Sequence, residues 1–182
     1  MRYITLFAAP VVIGGVFLAA QPSHPVIPNL FPFPNPTGLS ATFSTNGKID
    51  LDNPFFQDLG TNGRRCVTCH LPDQGWSIAA EKVQALFTVT QGLDPIFRPN
   101  DGSNCNHDID TTTIRGRANA YSLLRNRGLI RVGIDVPADA EFEVTAVQNP
   151  YGCNEMTTLS MYRRPLPATN LRALSAVMWD GR

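Results

Sequence analysis

The sequence predicts a mainly α-helical domain that carries a small inserted β-hairpin and long loops. Three observations favour this fold class: helical patterns in three segments, one stretch that alternates apolar and polar residues, and frequent glycine and proline. The 182 residues include 14 glycines and 15 prolines, and only 16% are charged. A chain of this length buries one sizeable core. The formal net charge is zero, so no nucleic-acid partner is expected.

An apolar run opens the chain, with Arg2 as its only charged residue and Ala19 and Ala20 at its end. This pattern predicts a secretory signal peptide over residues 1–20 with cleavage near Ala20. An uncleaved membrane anchor is the alternative, because the run nearly reaches the length that spans a bilayer. In both cases we expect export to the periplasm, with membrane contact only if the segment stays attached.

Residues 21–48 are predicted to form an extended arm. Six of the chain's prolines lie between Gln21 and Pro36. Proline has no amide donor and a fixed backbone angle, which argues against regular helix and central strand. Leu30, Phe31 and Phe33 are candidates for packing onto the domain at 49–182, and a flexible spacer is the alternative.

Three helices are predicted in the domain. The first helix is short. Asn53 is suited to the N-cap position, Pro54 is suited to the first turn, and Gly60 is expected to end the helix. The second covers about 77–87, with one apolar face formed by Ala79, Val83, Leu86 and Phe87. The third covers about 112–126 and stops at Gly128, with Ala118, Tyr121 and Leu124 buried.

The spacing of the apolar residues then changes to the two-residue alternation of a β-strand. Ile130, Val132, Ile134 and Val136 alternate with Arg131, Gly133 and Asp135. A second alternating run at 141–145 includes Phe142 and Val144 and follows the turn-like residues 137–140. The two runs predict the inserted β-hairpin.

Residues 66–70 read Cys-Val-Thr-Cys-His. Covalent attachment of a c-type haem needs two thiols that reach the vinyl groups and an imidazole that meets the iron. The motif therefore predicts a cytochrome c-like haem domain, with Cys66 and Cys69 as thioethers and His70 as an axial ligand. A thioredoxin-like redox pair would need a βαβ setting, which the sequence lacks, and would not need the histidine. A zinc site would need a second ligand pair.

Two further cysteines, Cys105 and Cys153, stand singly in polar, turn-like segments. In an oxidising compartment they are expected to form a disulfide with each other, and free thiols are the alternative. Closing a loop of about fifty residues would stabilise the fold by roughly 4 kcal/mol in the chain-entropy model.

The sixth ligand of the haem iron stays open. The available imidazole and thioether donors are His24, His107, Met156, Met161 and Met178. An open distal position favours peroxide binding, whereas a filled one favours electron transfer alone.

Two segments resemble the bacterial di-haem cytochrome c peroxidase family. Residues 53–77 read Asn-Pro-Phe-Phe-Gln-Asp-Leu-Gly-Thr-Asn-Gly-Arg-Arg before the haem motif and Leu-Pro-Asp-Gln-Gly-Trp-Ser after it. Residues 163–182 read Arg-Arg-Pro-Leu-Pro-Ala-Thr-Asn-Leu-Arg-Ala-Leu-Ser-Ala-Val-Met-Trp-Asp-Gly-Arg and are similar to that family's segment ending in Trp-Asp-Gly-Arg. The two motifs bracket residues 53–182 and are specific as a pair.

The resemblance implies two haem domains, with a tryptophan between the haems that relays electrons. Trp179 would take that role, and a core tryptophan is the alternative. Asn170 precedes it by nine residues, as the corresponding asparagine does in the family. The resemblance also implies an electron-donor protein, such as a small cytochrome or a cupredoxin.

The chain departs from the family in three ways. It contains no second Cys-x-x-Cys-His, so it is expected to be the N-terminal half of a di-haem protein, in the form of a truncated frame or fragment. Its only histidine between the two motifs, His107, has surroundings unlike the family's distal histidine. The family's interdomain calcium ligand would fall at about Arg164, which argues against calcium.

The sequence thus predicts a haem-binding electron-transfer domain, with peroxide reduction only if a second haem domain completes it. The alternative is a self-sufficient mono-haem electron carrier with methionine as the sixth ligand. A haem-free domain held by disulfides is a third, structural possibility.

Overall fold

The computed structural model describes residues 25–99 and 109–177. In these ranges the chain forms four α-helices and six β-strands. The helices are α1 (Cys66–Cys69), α2 (Ala80–Thr90), α3 (Ile114–Ala120) and α4 (Ser122–Arg127). The strands are β1 (Val26–Pro28), β2 (Phe33–Asn35), β3 (Gly38–Ser40), β4 (Lys48–Asp50), β5 (Ile130–Asp135) and β6 (Thr158–Arg163).

The prediction of a mainly α-helical, cytochrome c-like fold with one hairpin is wrong. Helical residues make up 26% and strand residues 18%, with the strands in small sheets. Each sheet has two strands, paired β1–β4, β2–β3 and β5–β6. Helix content is low because the helices end early at residues that leave helical geometry. The backbone of Gln91 after α2 and of Gly128 after α4 is left-handed, with φ of 56° and 61°.

Residues 25–50, which include the described part of the predicted arm, fold into two antiparallel strand pairs and contain neither a helix nor a central strand. Pro28 pairs with Lys48 and Pro34 pairs with Leu39. A two-stranded sheet has only edge strands, and an edge strand tolerates proline because one row of its amides faces away from the partner.

The arm also contacts the rest of the domain. Strands β2 and β3 lie against a 3-10 helix at Pro72–Gln74, and the Ser40 hydroxyl donates to the carbonyl of Pro72 at 3.3 Å. Phe33 is half-buried, whereas Leu30 and Phe31 remain largely exposed. Of the three candidates for packing, burial therefore favours Phe33.

The first predicted helix begins as expected and ends too soon. The Asn53 side chain accepts a hydrogen bond from the amide of Phe55 at 2.9 Å and caps a 3-10 helix at Pro54–Phe56. This helix has ended by Gln57, whose backbone is extended, so Gly60 does not close it. In α2, Val83 and Phe87 are buried as predicted, Leu86 is half-buried, and Ala79 is an exposed N-cap.

The third predicted helix is split in two. Tyr121 leaves helical geometry, with φ −105° and ψ 20°, and separates α3 from α4. Tyr121 and Leu124 are buried as expected and Ala118 is half-buried. Gly128 ends α4 as predicted, in the left-handed conformation that favours glycine.

The strand predicted at 130–136 exists as β5, but its partner is β6 and not the run at 141–145. In the register, Val132 lies opposite Met161, and residues 141–145 form no regular element. Burial in β5 does not follow the alternation of apolar and polar residues, because residues 132–135 are all exposed and Ile130 is half-buried against the core. Arg131 is 5% exposed and its Nε donates to the Ser160 hydroxyl at 2.8 Å, while Val132 and Ile134 are exposed.

The core lies between α2, α3, α4 and the segment that follows α2. Its buried members are Ile78, Val83, Phe87, Ile96, Phe97, Ala120, Tyr121 and Leu124. Phe87 meets Phe97 edge to face at 5.4 Å, and Phe97 lies 5.1 Å from Tyr121. Cys69 and Leu71 pack against this cluster, so the Cys-x-x-Cys-His motif adjoins the core. Within the described ranges, no helix is both long and apolar enough to cross a membrane.

Candidate functional site

The Cys-Val-Thr-Cys-His motif forms one helical turn that places its three chemical groups together. Cys66 begins α1 and is exposed, and Cys69 ends it and is half-buried. The amide of His70 donates to the carbonyl of Cys66 at 3.0 Å. The Thr68 hydroxyl accepts from the amide of Arg65 at 3.0 Å and closes the start of the turn. Both motif cysteines are free thiols.

The imidazole of His70 is oriented by a backbone carbonyl. Its Nδ1 lies 2.9 Å from the carbonyl oxygen of Trp76. A carbonyl oxygen can only accept a hydrogen bond, so Nδ1 must carry the proton. In the neutral ring Nε2 then keeps its lone pair, which is the tautomer that a metal ligand needs. Histidines that bind metals commonly have their other nitrogen held in this way.

Trp76 reaches this position through an unusual backbone conformation. Its φ is 61°, in the left-handed region that a bulky side chain rarely adopts. The preceding Gly75 is left-handed too, at φ 63°. The amide of Trp76 donates to the carbonyl of Leu71 at 2.8 Å, and the carbonyl of Trp76 accepts a second bond from the amide of Ala168 at 3.0 Å. Such strain concentrates at functional sites, and here it directs a carbonyl toward His70.

The loop before the motif is tied to the core by Arg64. Its guanidinium donates to the carbonyl of Pro95 at 2.9 Å and to that of Ile96 at 2.7 Å. Arg98 returns a hydrogen bond from its Nη2 to the carbonyl of Asn62. Burial is the main reason that the pKa of Arg64 lies below its ordinary value. Because Ile96 is almost fully buried in the core cluster, these bonds connect the loop before the motif to the core.

The Cys69 thiol is held in its protonated form by its surroundings. Burial raises the pKa of the Cys69 thiol above its ordinary value, and the positive charge of Arg64 opposes that rise in part. Cys69 is therefore a weak attacking nucleophile at neutral pH, because the thiolate is the reactive form. Thioether formation needs a free thiol within reach.

An aromatic wall, formed by Phe55, Phe56 and Trp76, lies beside the motif. The Phe55 ring lies 6.2 Å from the His70 ring and 5.8 Å from the Trp76 ring, and Phe56 lies 6.2 Å from Trp76. The indole N–H of Trp76 donates to the Thr42 hydroxyl at 2.6 Å. These rings form one side of an open cleft of about 480 Å³. None of the three motif residues lines this cleft.

Several predicted site residues lie outside the described part of the chain. They are the residues of the signal segment 1–20 together with His24, Cys105, His107, Met178 and Trp179. Cys153 is described: it is 1% exposed and disulfide-bonded. Its predicted partner is Cys105, and that pairing stays a prediction.

Two candidate sixth ligands are described. Met156 is 52% exposed in a loop, and Met161 is half-buried in β6. Asn170 has φ 58° and lines the cleft. At the position of the family's calcium ligand, the Arg164 side chain donates to the carbonyl of Arg127 at 2.8 Å. In the described ranges, no group of three or more His, Cys, Asp and Glu side chains is arranged to hold a metal ion.

The donor set fits a covalent haem. Two free thiols and a histidine with an available Nε2 lie on one turn beside an apolar core and an aromatic wall. No family model matches the chain, and no curated protein or solved structure matches it. The resemblance to the di-haem peroxidases therefore stays a prediction.

Sequence reasoning missed two parts of this site, the Trp76 carbonyl and the Arg64 anchor. A backbone carbonyl has no residue-type signature, so its role cannot be seen before the fold is known. The Gly-Trp pair that ends the segment after His70 was a usable signal, because glycine marks a position of special backbone geometry.

Proposed function

We propose that this chain binds one haem c covalently and transfers electrons outside the cytoplasm. Cys66 and Cys69 would form the thioethers and His70 would be an axial ligand. The observation that carries the proposal is the hydrogen bond from His70 Nδ1 to the carbonyl of Trp76, within an intact attachment motif. This hydrogen bond leaves Nε2 with a free lone pair, which is what an axial ligand of haem iron requires.

Each residue near the motif has a defined role in this proposal. Trp76 fixes the tautomer and the direction of the imidazole, and Arg64 holds the loop that leads to Cys66. The core at Cys69 and the ring of Phe55 exclude water from one side of His70. When bound, the haem supplies a one-electron couple whose potential depends on such surroundings.

In the proposal, the physiological context follows the resembled family. The chain would act with a second haem domain, and a small cytochrome or cupredoxin would donate electrons. Calcium is not part of the proposal, because Arg164 places a positive charge where the family has a ligand. Peroxide reduction belongs to the completed di-haem protein, with Trp179 as the relay between the haems.

Covalent attachment is tested by exporting the full chain in a host that ligates haem to periplasmic proteins. Thioether bonds survive unfolding, so the protein should keep a haem stain on a denaturing gel. Cys66→Ala together with Cys69→Ala should abolish the stain. Val67→Ala is the control, because it changes a residue between the two cysteines, keeps the Cys-x-x-Cys-His pattern and should retain the stain. An unstained wild-type protein, or a stained double variant, would contradict the proposal.

A further inference from the structure

The cleft beside Trp76 has the features of a second binding site. Its volume of about 480 Å³ falls within the range of small-molecule sites, which is roughly 300–1,000 Å³. Cys66, Cys69 and His70 are all absent from its lining, so the cleft is separate from the attachment motif itself. It adjoins the motif through Phe55 and Trp76, which line the cleft and also contact His70.

The apolar part of the cleft is aromatic. Four aromatic side chains line it, namely Phe43, Phe55, Phe56 and Trp76. Trp76 is 5% exposed and is fixed by its hydrogen bond to Thr42, so its ring is a rigid surface. Phe43 is 69% exposed and stands at the opening. Aromatic faces and edges favour offset or edge-to-face contact with another ring, which selects a planar aromatic ligand.

The polar part of the cleft selects the charge of that ligand. Arg172 is the only charged residue in the lining, and no carboxylate lies there. Among the described residues, Arg172 has neither an ion pair nor a hydrogen-bond partner for its guanidinium. The Asn170 amide beside it is likewise without a partner in those ranges. A guanidinium and an amide without partners supply donors that match a carboxylate.

We propose that this cleft binds a planar aromatic carboxylate, with its ring against Trp76 and Phe43 and its carboxylate at Arg172 and Asn170. The site is open to solvent at Phe43 and Arg172, so a ligand enters without any rearrangement of the core. This proposal does not depend on haem attachment.

The test is calorimetric titration of the full exported chain with 2-naphthoate as the probe. Saturable binding with Kd below about 1 mM is expected. Two probes separate the contributions: 2-naphthamide keeps the ring without the charge, and cyclohexanecarboxylate keeps the charge without the aromatic ring. Each should bind at least about threefold more weakly than 2-naphthoate.

Two exposed positions test the two halves of the site without disturbing the fold. Arg172→Gln should weaken 2-naphthoate about threefold to fivefold and leave 2-naphthamide unchanged. Phe43→Ala should weaken the binding of both aromatic probes, 2-naphthoate and 2-naphthamide, about threefold or more. Arg115→Gln and Leu39→Ala are the matched controls, since both residues are exposed and neither lines the cleft. The proposal is overturned if no saturable binding occurs, or if either cleft variant binds like its control.

Discussion

The orientation of the His70 imidazole depends on Trp76, whose own backbone conformation is maintained by side-chain contacts. The Trp76 carbonyl that accepts from His70 belongs to a residue at φ 61°. A left-handed tryptophan costs on the order of 1–3 kcal/mol and persists only where the surroundings impose it. Here the indole supplies part of that restraint, through its bond to Thr42 and its contacts with Phe55 and Phe56.

Removal of the Thr42 hydroxyl tests this restraint. Thr42→Val keeps the side-chain shape but leaves the buried indole N–H without its acceptor, which should lower the free energy of unfolding by about 1–3 kcal/mol. Thr61→Val, at an exposed loop position, should change it by less than about 0.5 kcal/mol. Denaturant unfolding of the exported protein measures both. Equal stability of the two variants would show that the hydroxyl does not support Trp76.

At the scale of elements, local signals predicted the capping residues better than the extent of each element. Asn53 and Gly128 act as caps where the sequence indicated them. The split at Tyr121 was not visible, because no glycine or proline marks it; Tyr121 is buried, and its ring lies 5.1 Å from Phe97. The partner of β5 was also missed, since the period of β5 reveals a strand but not which later segment pairs with it.

The candidate site could be predicted from the sequence only in part. The cysteines and the histidine were identified because haem attachment requires those residue types at that spacing. The cleft was not predictable, because Phe43, Trp76 and Arg172 come from three distant parts of the chain. Only the folded chain brings them together.

Gly116 offers a test of element packing in which two effects compete. Alanine is favoured over glycine in a helix by about 1 kcal/mol, so propensity alone predicts that Gly116→Ala stabilises α3. A Cβ at this position would, however, overlap the backbone carbonyl oxygen of Asp110. Backbone cannot move aside as a flexible side chain can, so we expect net destabilisation of more than about 2 kcal/mol in thermal or denaturant unfolding.

The control is Arg115→Ala on the exposed side of α3, whose free energy of unfolding is expected within about 0.5 kcal/mol of wild type. A Gly116→Ala protein as stable as wild type would refute the close approach.

At the scale of the whole molecule, the part of the chain that the structure describes has three small sheets, four short helices and a modest core. Domains of this kind are commonly reinforced by a cross-link or a cofactor. Cys153 is buried and disulfide-bonded, which supplies one such reinforcement outside the main hydrophobic cluster.

The disulfide prediction is checked by peptide mapping without reduction. A peptide pair that links Cys105 to Cys153 should be found in the periplasmic protein. Replacing both residues with alanine should lower the free energy of unfolding by a few kcal/mol, up to roughly 4 kcal/mol for a loop of this length. Alkylation of both thiols in the native protein would contradict the pairing.

The last prediction concerns peroxide turnover and rests on electron count. Reduction of peroxide to water consumes two electrons, whereas one ferric–ferrous couple stores one. Residues 1–182 contain a single attachment motif, so this chain alone should turn over peroxide slowly with a reduced cytochrome as donor. Adding or fusing a second haem domain should raise the steady-state rate by at least about tenfold. Trp179→Phe should then remove most of that gain, while the same substitution in the lone chain, used as the control, should have little effect. If the isolated chain already turns over like a complete peroxidase, a mono-haem peroxidase must replace the two-domain proposal.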